Sequence, residues 1–102
     1  MMSPDEAARL LDQYRIEIDA LDLRILDILN ERTRIVEKIG AVKREASLPV
    51  YEPKREDAVY RNVLSHNQGP LSEAAVRRLF ERIIDEMRTL QRERNQQKEN
   101  GQ

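Results

Sequence analysis

The chain has 102 residues, 36% of them charged and 39% hydrophobic, which is enough for one small domain and too few for two. A net charge of −1, from 18 Lys and Arg against 19 Asp and Glu, gives no sign of nucleic-acid or membrane binding. The absence of cysteine excludes disulfides, thiolate metal sites and a thiol nucleophile.

The first predicted element is a long helix that starts after Ser3. Ser3 can cap the helix, Pro4 suits its first position, and Glu6 can complete a capping box. From there an apolar stripe recurs at alternating steps of three and four, the pattern of helices that pack lengthwise. The members of this stripe are Leu11, Tyr14, Ile18, Leu21, Ile25, Ile28, Ile35, Ile39 and Val42.

The length of this helix bears on the oligomeric state. No proline interrupts the chain between Pro4 and Pro49, so we predict one helix of about 40 residues and about 60 Å. That is longer than a globule of this size is wide. The helix must therefore pack on another chain or leave much of its apolar stripe bare.

Two further helices come after the break in "ASLPVYEP", residues 46–53. Pro53 can open a short second helix, "NQGPLS" makes a turn, and Ser72 can cap a third helix. The apolar face of the third helix comprises Val76, Leu79, Phe80, Ile83, Ile84, Met87 and Leu90. The predicted fold is all-α, with three helices in the order long, short, long. We expect a helical domain over residues 1–92 and a polar, disordered tail over residues 93–102, which have nothing to bury.

Two cations interrupt the apolar face of the first helix. Arg32 occupies a position of the stripe, and Lys43 lies on the same face, about 16 Å further along the axis. Long cationic side chains can bury their stems and keep their heads in water, which would explain a single such residue. Two of them that bracket Val36 and Ile39 favour a bound anion between them, and Arg suits bidentate carboxylate binding.

Three other residues each allow two interpretations. Gly40 costs about 1 kcal/mol in mid-helix relative to Ala, either for close helix packing or for a ligand that approaches the backbone. Gln91 either continues the apolar face of the third helix or lies in solvent at its end. Arg15 is either an ordinary surface residue or part of the site. It lies about 25 Å before Arg32 and about 100° round the helix, so it could join that site only from a partner chain.

The remaining features favour a cytoplasmic protein. The N-terminal residues lack an apolar signal core, and no apolar run approaches transmembrane length. Arg and Lys are interleaved with Asp and Glu throughout, which argues against a nucleic-acid partner. The single histidine, His66, lies in a polar, loop-like stretch and cannot form a metal site alone.

Over residues 8–92 the chain resembles the all-α class of chorismate mutases. The segments that carry the resemblance are "LDQYRIEIDALDLRILDILNERTRIVEKIGAVK", "PVYEPKRE" and "RLFERIIDEMRTLQ". The resemblance implies an intertwined homodimeric helical bundle that converts chorismate to prephenate by a Claisen rearrangement, on the way to Phe and Tyr. The "NQGPLS" turn and the helix after it resemble most the mutase domains attached to the enzyme that opens the shikimate pathway. That likeness implies a partner enzyme of the aromatic pathway.

The resemblance also implies roles for the misplaced cations. Matched by position, Arg15 is the residue donated across the dimer, and Arg32 belongs to the same-chain carboxylate clamp. Lys43 and Gln91 share the ether oxygen of the substrate. Because the rearrangement is unimolecular, the resemblance implies no cofactor, metal or nucleophile.

At the second helix, Arg55 falls on the family's pocket arginine and Glu56 on the carboxylate that takes the substrate hydroxyl. The main chain near Glu52 lies beside that hydroxyl. Two positions depart from the family pattern: Glu52 stands where relatives often have Asp, and Met87 where some have a small hydroxyl residue. We therefore assign no polar role to Met87.

Two rival functions share the same sequence features. The chain could be a mutase-like helical module that serves mainly to regulate or bind a partner, with its cations at the surface. It could also be an isochorismate pyruvate-lyase that uses the same pocket. Ligand-dependent stabilisation distinguishes the first rival from a mutase, and release of pyruvate distinguishes the second.

Overall fold

The computed structural model of the chain describes residues 1–101. Within them the protein is all-α and has no strand; its helices are α1 (Pro4–Glu45), α2 (Pro53–His66) and α3 (Glu73–Glu99). The predicted order of long, short and long helices is confirmed. His66, predicted in a loop, is the last residue of α2.

α1 is a single helix of 42 residues, as its sequence predicts. The backbone N–H of Glu6 donates to Oγ of Ser3 at 3.2 Å, so Ser3 caps the helix. At the other end, the N–H of Leu48 donates to the carbonyl of Lys43 at 2.7 Å and that of Ser47 to the carbonyl of Arg44 at 3.2 Å. These two bonds form a Schellman motif, in which Ser47 takes the left-handed conformation (φ 56°) that glycine usually adopts.

α2 and α3 are joined by the predicted turn and pack against each other. Asn67 organises the turn, because its Nδ2 donates to the carbonyl of Leu71 at 2.8 Å and its Oδ1 accepts from the N–H of Gly69 at 3.0 Å. Ser72 caps α3 as predicted and accepts from the N–H of Ala75 at 3.1 Å. Ser72 therefore sets where α3 begins.

The chain divides into two compact units, Met1–Arg34 and the residues from Ile35 onward. In the second unit the buried residues are Val36 and Gly40 of α1 and Val76, Ile84 and Gln91 of α3. In the first unit the apolar stripe is exposed at Leu11, Tyr14, Ile18, Leu21, Ile25 and Ile28. Over residues 1–101, no helix is long and apolar enough to cross a membrane.

α3 extends further than its apolar pattern predicts. The pattern ends near Gln91, yet the helix continues to Glu99. Two long-range contacts hold this extension on α1: Nη2 of Arg94 lies 3.1 Å from Oε2 of Glu37, and Arg44 donates to Asn95 at 3.4 Å. Residues 93–99 are therefore helical although mostly exposed. Residue 102 of the predicted tail lies outside the described residues.

Candidate active site

Gln91 is the one buried polar side chain among the described residues, at 9% exposure. It lies on the face of α3 that also buries Ile84, and its Cγ would be 3.5 Å from a Cβ added at Gly40 of α1. Its Oε1 is buried and has no hydrogen-bond partner in this part of the chain. A buried amide oxygen without a partner is costly, so this position is one where a bound group would be stabilising.

Gly40 is buried opposite Gln91, and the 3.5 Å separation is an ordinary van der Waals contact. An alanine would fit there without displacing the glutamine. Close helix packing therefore does not require a glycine at this position.

Lys43 projects from the last turn of α1 and is only 11% exposed. Its Nζ donates to the carbonyl of Val50 at 3.0 Å and lies 2.7 Å from Oε1 of Glu52. Glu52 is the N-cap residue of α2, but its side chain makes no cap hydrogen bond, because it turns to the lysine instead. An ammonium group has three N–H donors, so one donor of Lys43 remains for a third acceptor.

Glu56 lies one turn after Glu52 on α2, and Arg88 of α3 is its ion-pair partner. Nε of Arg88 lies 3.2 Å from Oε2 of Glu56, and the two side chains are 27% and 19% exposed. The guanidinium of Arg88 also pairs with Asp85 and lies over the ring of Tyr51, 5.5 Å from its centroid. Nε of Arg88 is buried and forms no hydrogen bond in the described residues, so its contact with Glu56 is an ion pair without a well-aligned N–H.

Five of the predicted site residues lie in the unit from Ile35 onward: Lys43, Glu52, Arg55, Glu56 and Gln91. Arg55 lies in the first turn of α2 with an exposed side chain. Arg15 and Arg32 belong to the other unit, Met1–Arg34. There, the side chain of Arg15 is exposed and its Nη1 lies 3.9 Å from Oδ1 of Asp12, whereas Arg32 is partly buried.

Arg88, the ion-pair partner of Glu56, was not among the site residues predicted from the sequence. It comes four residues after Ile84 and three before Gln91, so it lies on the inward face of α3. A cation at that spacing is the same signal that singled out Arg32 on the first helix. The signal was available in the sequence, but its partner, Glu56, was not predictable from local spacing.

A cavity of about 400 Å³ lies at the C-terminal ends of α1 and α3. It is lined by Lys43, Arg44, Ser47, Leu48, Asn95, Lys98 and Glu99. Of the predicted site residues only Lys43 borders this cavity. Among residues 1–101, no group of three or more His, Cys, Asp or Glu side chains could hold a metal ion.

Comparison with known proteins identifies the family. The model of the family described as chorismate mutase type II matches residues 14–92, well over half of the chain. The chain belongs to the chorismate mutase type II family. The resemblance noted in the sequence is thereby confirmed.

Three similar proteins show how much of this chain, and how much of each relative, the similarity covers. The bifunctional chorismate mutase/prephenate dehydratase of Neisseria gonorrhoeae is 40% identical over 83 residues, which are 81% of this chain and 22% of that protein. The 4-amino-4-deoxychorismate mutase of Streptomyces pristinaespiralis is 33% identical over 85 residues, 81% of this chain and 65% of that protein. The crystal structure of chorismate mutase from Helicobacter pylori in complex with prephenate has a TM-score of 0.77 at 30% identity, and the match covers 83% of this chain and 92% of that one. The chain thus spans about a fifth of the bifunctional relative and nearly all of the solved mutase.

Proposed function

We propose that the chain is an isomerase that converts chorismate to prephenate in the biosynthesis of Phe and Tyr, acting in the cytoplasm. The observation that carries the proposal is the buried side chain of Gln91, whose amide oxygen lacks a partner among the described residues and whose Cγ lies beside Gly40 of α1. Family membership and the prephenate in the Helicobacter pylori relative support the same reaction. The rearrangement breaks the ether C–O bond of one molecule as a C–C bond forms in it, so no second reactant is needed.

In this proposal Lys43 and Gln91 stabilise the negative charge that develops on the ether oxygen as the C–O bond breaks. Lys43 supplies its remaining N–H, since Val50 and Glu52 take the other two. Rotation about the Cγ–Cδ bond of Gln91 exchanges its oxygen and its NH₂, so the amide can present a donor at the same place. Donors fixed before the reaction, in a site that excludes water, stabilise a developing charge more than mobile water does.

The other predicted residues hold the substrate in its compact reactive conformer. Arg32 and Arg15 bind the two carboxylates, and Arg55 assists in the pocket. Glu56 accepts the hydrogen of the substrate hydroxyl, with the main chain near Glu52 beside it. Fixing a flexible molecule in a reactive geometry can itself account for several powers of ten in rate.

The proposed assembly is an intertwined homodimer in which Arg15 reaches the partner's site. The exposed apolar stripe on Met1–Arg34 supports this assembly, since large contiguous apolar surfaces on soluble proteins usually mark interfaces. A partner enzyme of the aromatic pathway is proposed as well. The mutase unit of the bifunctional Neisseria relative is joined to a prephenate dehydratase, which supports such coupling.

The test is conversion of chorismate to prephenate by the purified protein, with Lys43→Ala and Lys38→Ala measured in parallel. Lys38 is an exposed lysine of the same helix and serves as the matched control. We expect Lys43→Ala to lower kcat by about 10²- to 10³-fold, the effect of removing one preorganised donor, and Lys38→Ala to match the wild type. A folded wild type without turnover would contradict the proposal, and release of pyruvate from isochorismate would identify the lyase instead.

A further inference from the structure

The ion pair between Arg88 and Glu56 includes one residue, Arg88, that has no part in the proposed reaction. The two side chains are 27% and 19% exposed, so the pair is mostly withdrawn from solvent. Glu56 carries the proposed contact to the substrate hydroxyl, and Arg88 is the cation paired with that carboxylate. A cation at this distance, 3.2 Å from Oε2, orients the carboxylate that meets the substrate and offsets part of its negative charge.

Arg88 is held on more than one side. Its guanidinium pairs with Asp85 on its own helix and lies over the ring of Tyr51, in the segment between α1 and α2. Tyr51 stands between Val50 and Glu52, which both bind Lys43. Arg88 therefore contacts both the segment that binds Lys43 and the helix that carries Glu56.

The contact uses only part of the carboxylate. Arg88 approaches Oε2 of Glu56, and an ionised carboxylate offers about four lone-pair positions, so Oε1 can still accept a hydrogen bond. An arginine keeps its charge at every pH a protein experiences. The pair therefore presents a hydrogen-bond acceptor whose negative charge is partly offset, because Arg88 is shared between Glu56 and Asp85.

We propose that Arg88 is a positioning and specificity-determining residue: it orients Glu56 and offsets its charge, so that this carboxylate prefers a neutral hydroxyl to a cationic ammonium group on the substrate. The inference rests on the proposed function, in which Glu56 receives the hydroxyl of chorismate. An ammonium group at that place would meet the Arg88 guanidinium close behind the carboxylate, and like charges brought together are unfavourable. Without Arg88 the unpaired carboxylate would instead attract the ammonium.

Chorismate and 4-amino-4-deoxychorismate differ in the group that Glu56 would contact. 4-Amino-4-deoxychorismate carries an amine, protonated at neutral pH, where chorismate carries its hydroxyl. The Streptomyces relative, 33% identical to this chain, is named for action on the amino compound. Discrimination between the two compounds therefore measures what the Arg88–Glu56 pair contributes, separately from the stability of the fold.

The experiment measures kcat and KM for both compounds with the wild type, Arg88→Leu, Arg88→Lys and Arg82→Leu. Arg82 is an exposed arginine of the same helix, paired with Glu86, and is the matched control. We expect the wild type and Arg82→Leu to prefer chorismate. In Arg88→Leu the ratio of kcat/KM values should move toward the amino compound by about tenfold, mainly through KM, and Arg88→Lys should retain most of the preference.

The proposal would be overturned if the ratio of the two kcat/KM values is unchanged in Arg88→Leu. It would also be overturned if kcat/KM falls equally for both compounds in Arg88→Leu and in Arg88→Lys. If circular dichroism shows Arg88→Leu to be unfolded, Arg88→Gln replaces it under the same criterion, since glutamine keeps a polar side chain without the charge. A wild type that turns over neither compound would overturn the proposed function together with this inference. Normal turnover of chorismate with an unmoved ratio would overturn only the role of Arg88.

Discussion

Gln91 occupies a position on α3 that an apolar side chain would fill at lower cost. On that face Ile84 is buried two turns earlier, the exposure of Gln91 itself is 9%, and its Oε1 has no partner among the described residues. An unmet buried acceptor costs about 1 to 3 kcal/mol. Such a cost is expected where a residue is kept for its chemistry and not for packing.

Replacement of Gln91 by Met should therefore separate stability from activity. Met is similar in length and apolar, so Gln91→Met should raise the free energy of unfolding by about 1 kcal/mol. The same variant should lower kcat for chorismate, because the proposed donor to the ether oxygen is lost. Urea titration and steady-state kinetics check the two effects, with Gln96→Met, at an exposed position of the same helix, as the control. A variant that is destabilised and fully active would contradict this account of Gln91.

At the scale of the element, the end of α1 carries the proposed catalytic lysine. Lys43 lies in the last turn, and its own carbonyl accepts the Schellman bond from Leu48. The residue that makes this turn possible, Ser47, has φ 56°, a conformation in which a side chain is strained. The helix therefore ends at a strained position, and the segment between α1 and α2 supplies both partners of Lys43, Val50 and Glu52.

Ser47→Gly should relieve this strain. Glycine adopts positive φ without a steric penalty, and its greater freedom in the unfolded chain offsets part of the gain, so we expect about 0.5 to 1 kcal/mol of added stability. The comparison is Ser65→Gly, the same change inside α2, which should lower the free energy of unfolding. Chemical denaturation of both variants checks the prediction. Equal destabilisation by the two substitutions would be evidence against a left-handed Ser47.

At the scale of the whole molecule, a domain of 102 residues buries a modest core, and the buried hydrophobic side chains of the described residues are Val36, Val76 and Ile84. Leu11, Ile18 and Ile25 of the first unit are large apolar side chains left at the surface. A second copy of the chain could cover them. The proposed homodimer would thus stabilise the fold as well as complete the site with Arg15.

Ile18→Glu should therefore weaken the dimer. A charge placed on the stripe would have to be buried in the interface, which is strongly unfavourable. Ile16 is also exposed, but two residues earlier it lies about 200° round the helix, so Ile16→Glu is a control with the same change. Analytical ultracentrifugation should find dimers for the wild type and Ile16→Glu and monomers for Ile18→Glu. A monomeric wild type would exclude the proposed assembly.

The three helices and their order were predictable because the signals that set them are local. Ser3 and Ser72 cap their helices through bonds to residues three positions ahead, and Pro53 opens α2 as its ring geometry favours. The positions of Lys43 and Gln91 were predictable from helical periodicity and from the resemblance. The extent of α3 was not, because residues 93–99 are held by ion and hydrogen-bond partners on α1 and not by an apolar pattern.

The sequence by itself therefore determined the all-α fold, the helix starts, the family and the candidate residues along each helix. Tertiary structure decided which residues meet: Lys43 with Glu52, Gly40 with Gln91, and Glu56 with Arg88, which the sequence had not singled out. The physical reason is one of range. Caps and helical periodicity depend on residues within about one helical turn. By contrast, two of these pairs join residues of different helices, and the third joins Lys43 of α1 to Glu52, the N-cap residue of α2. Such pairs depend on how the helices pack, which no local pattern encodes.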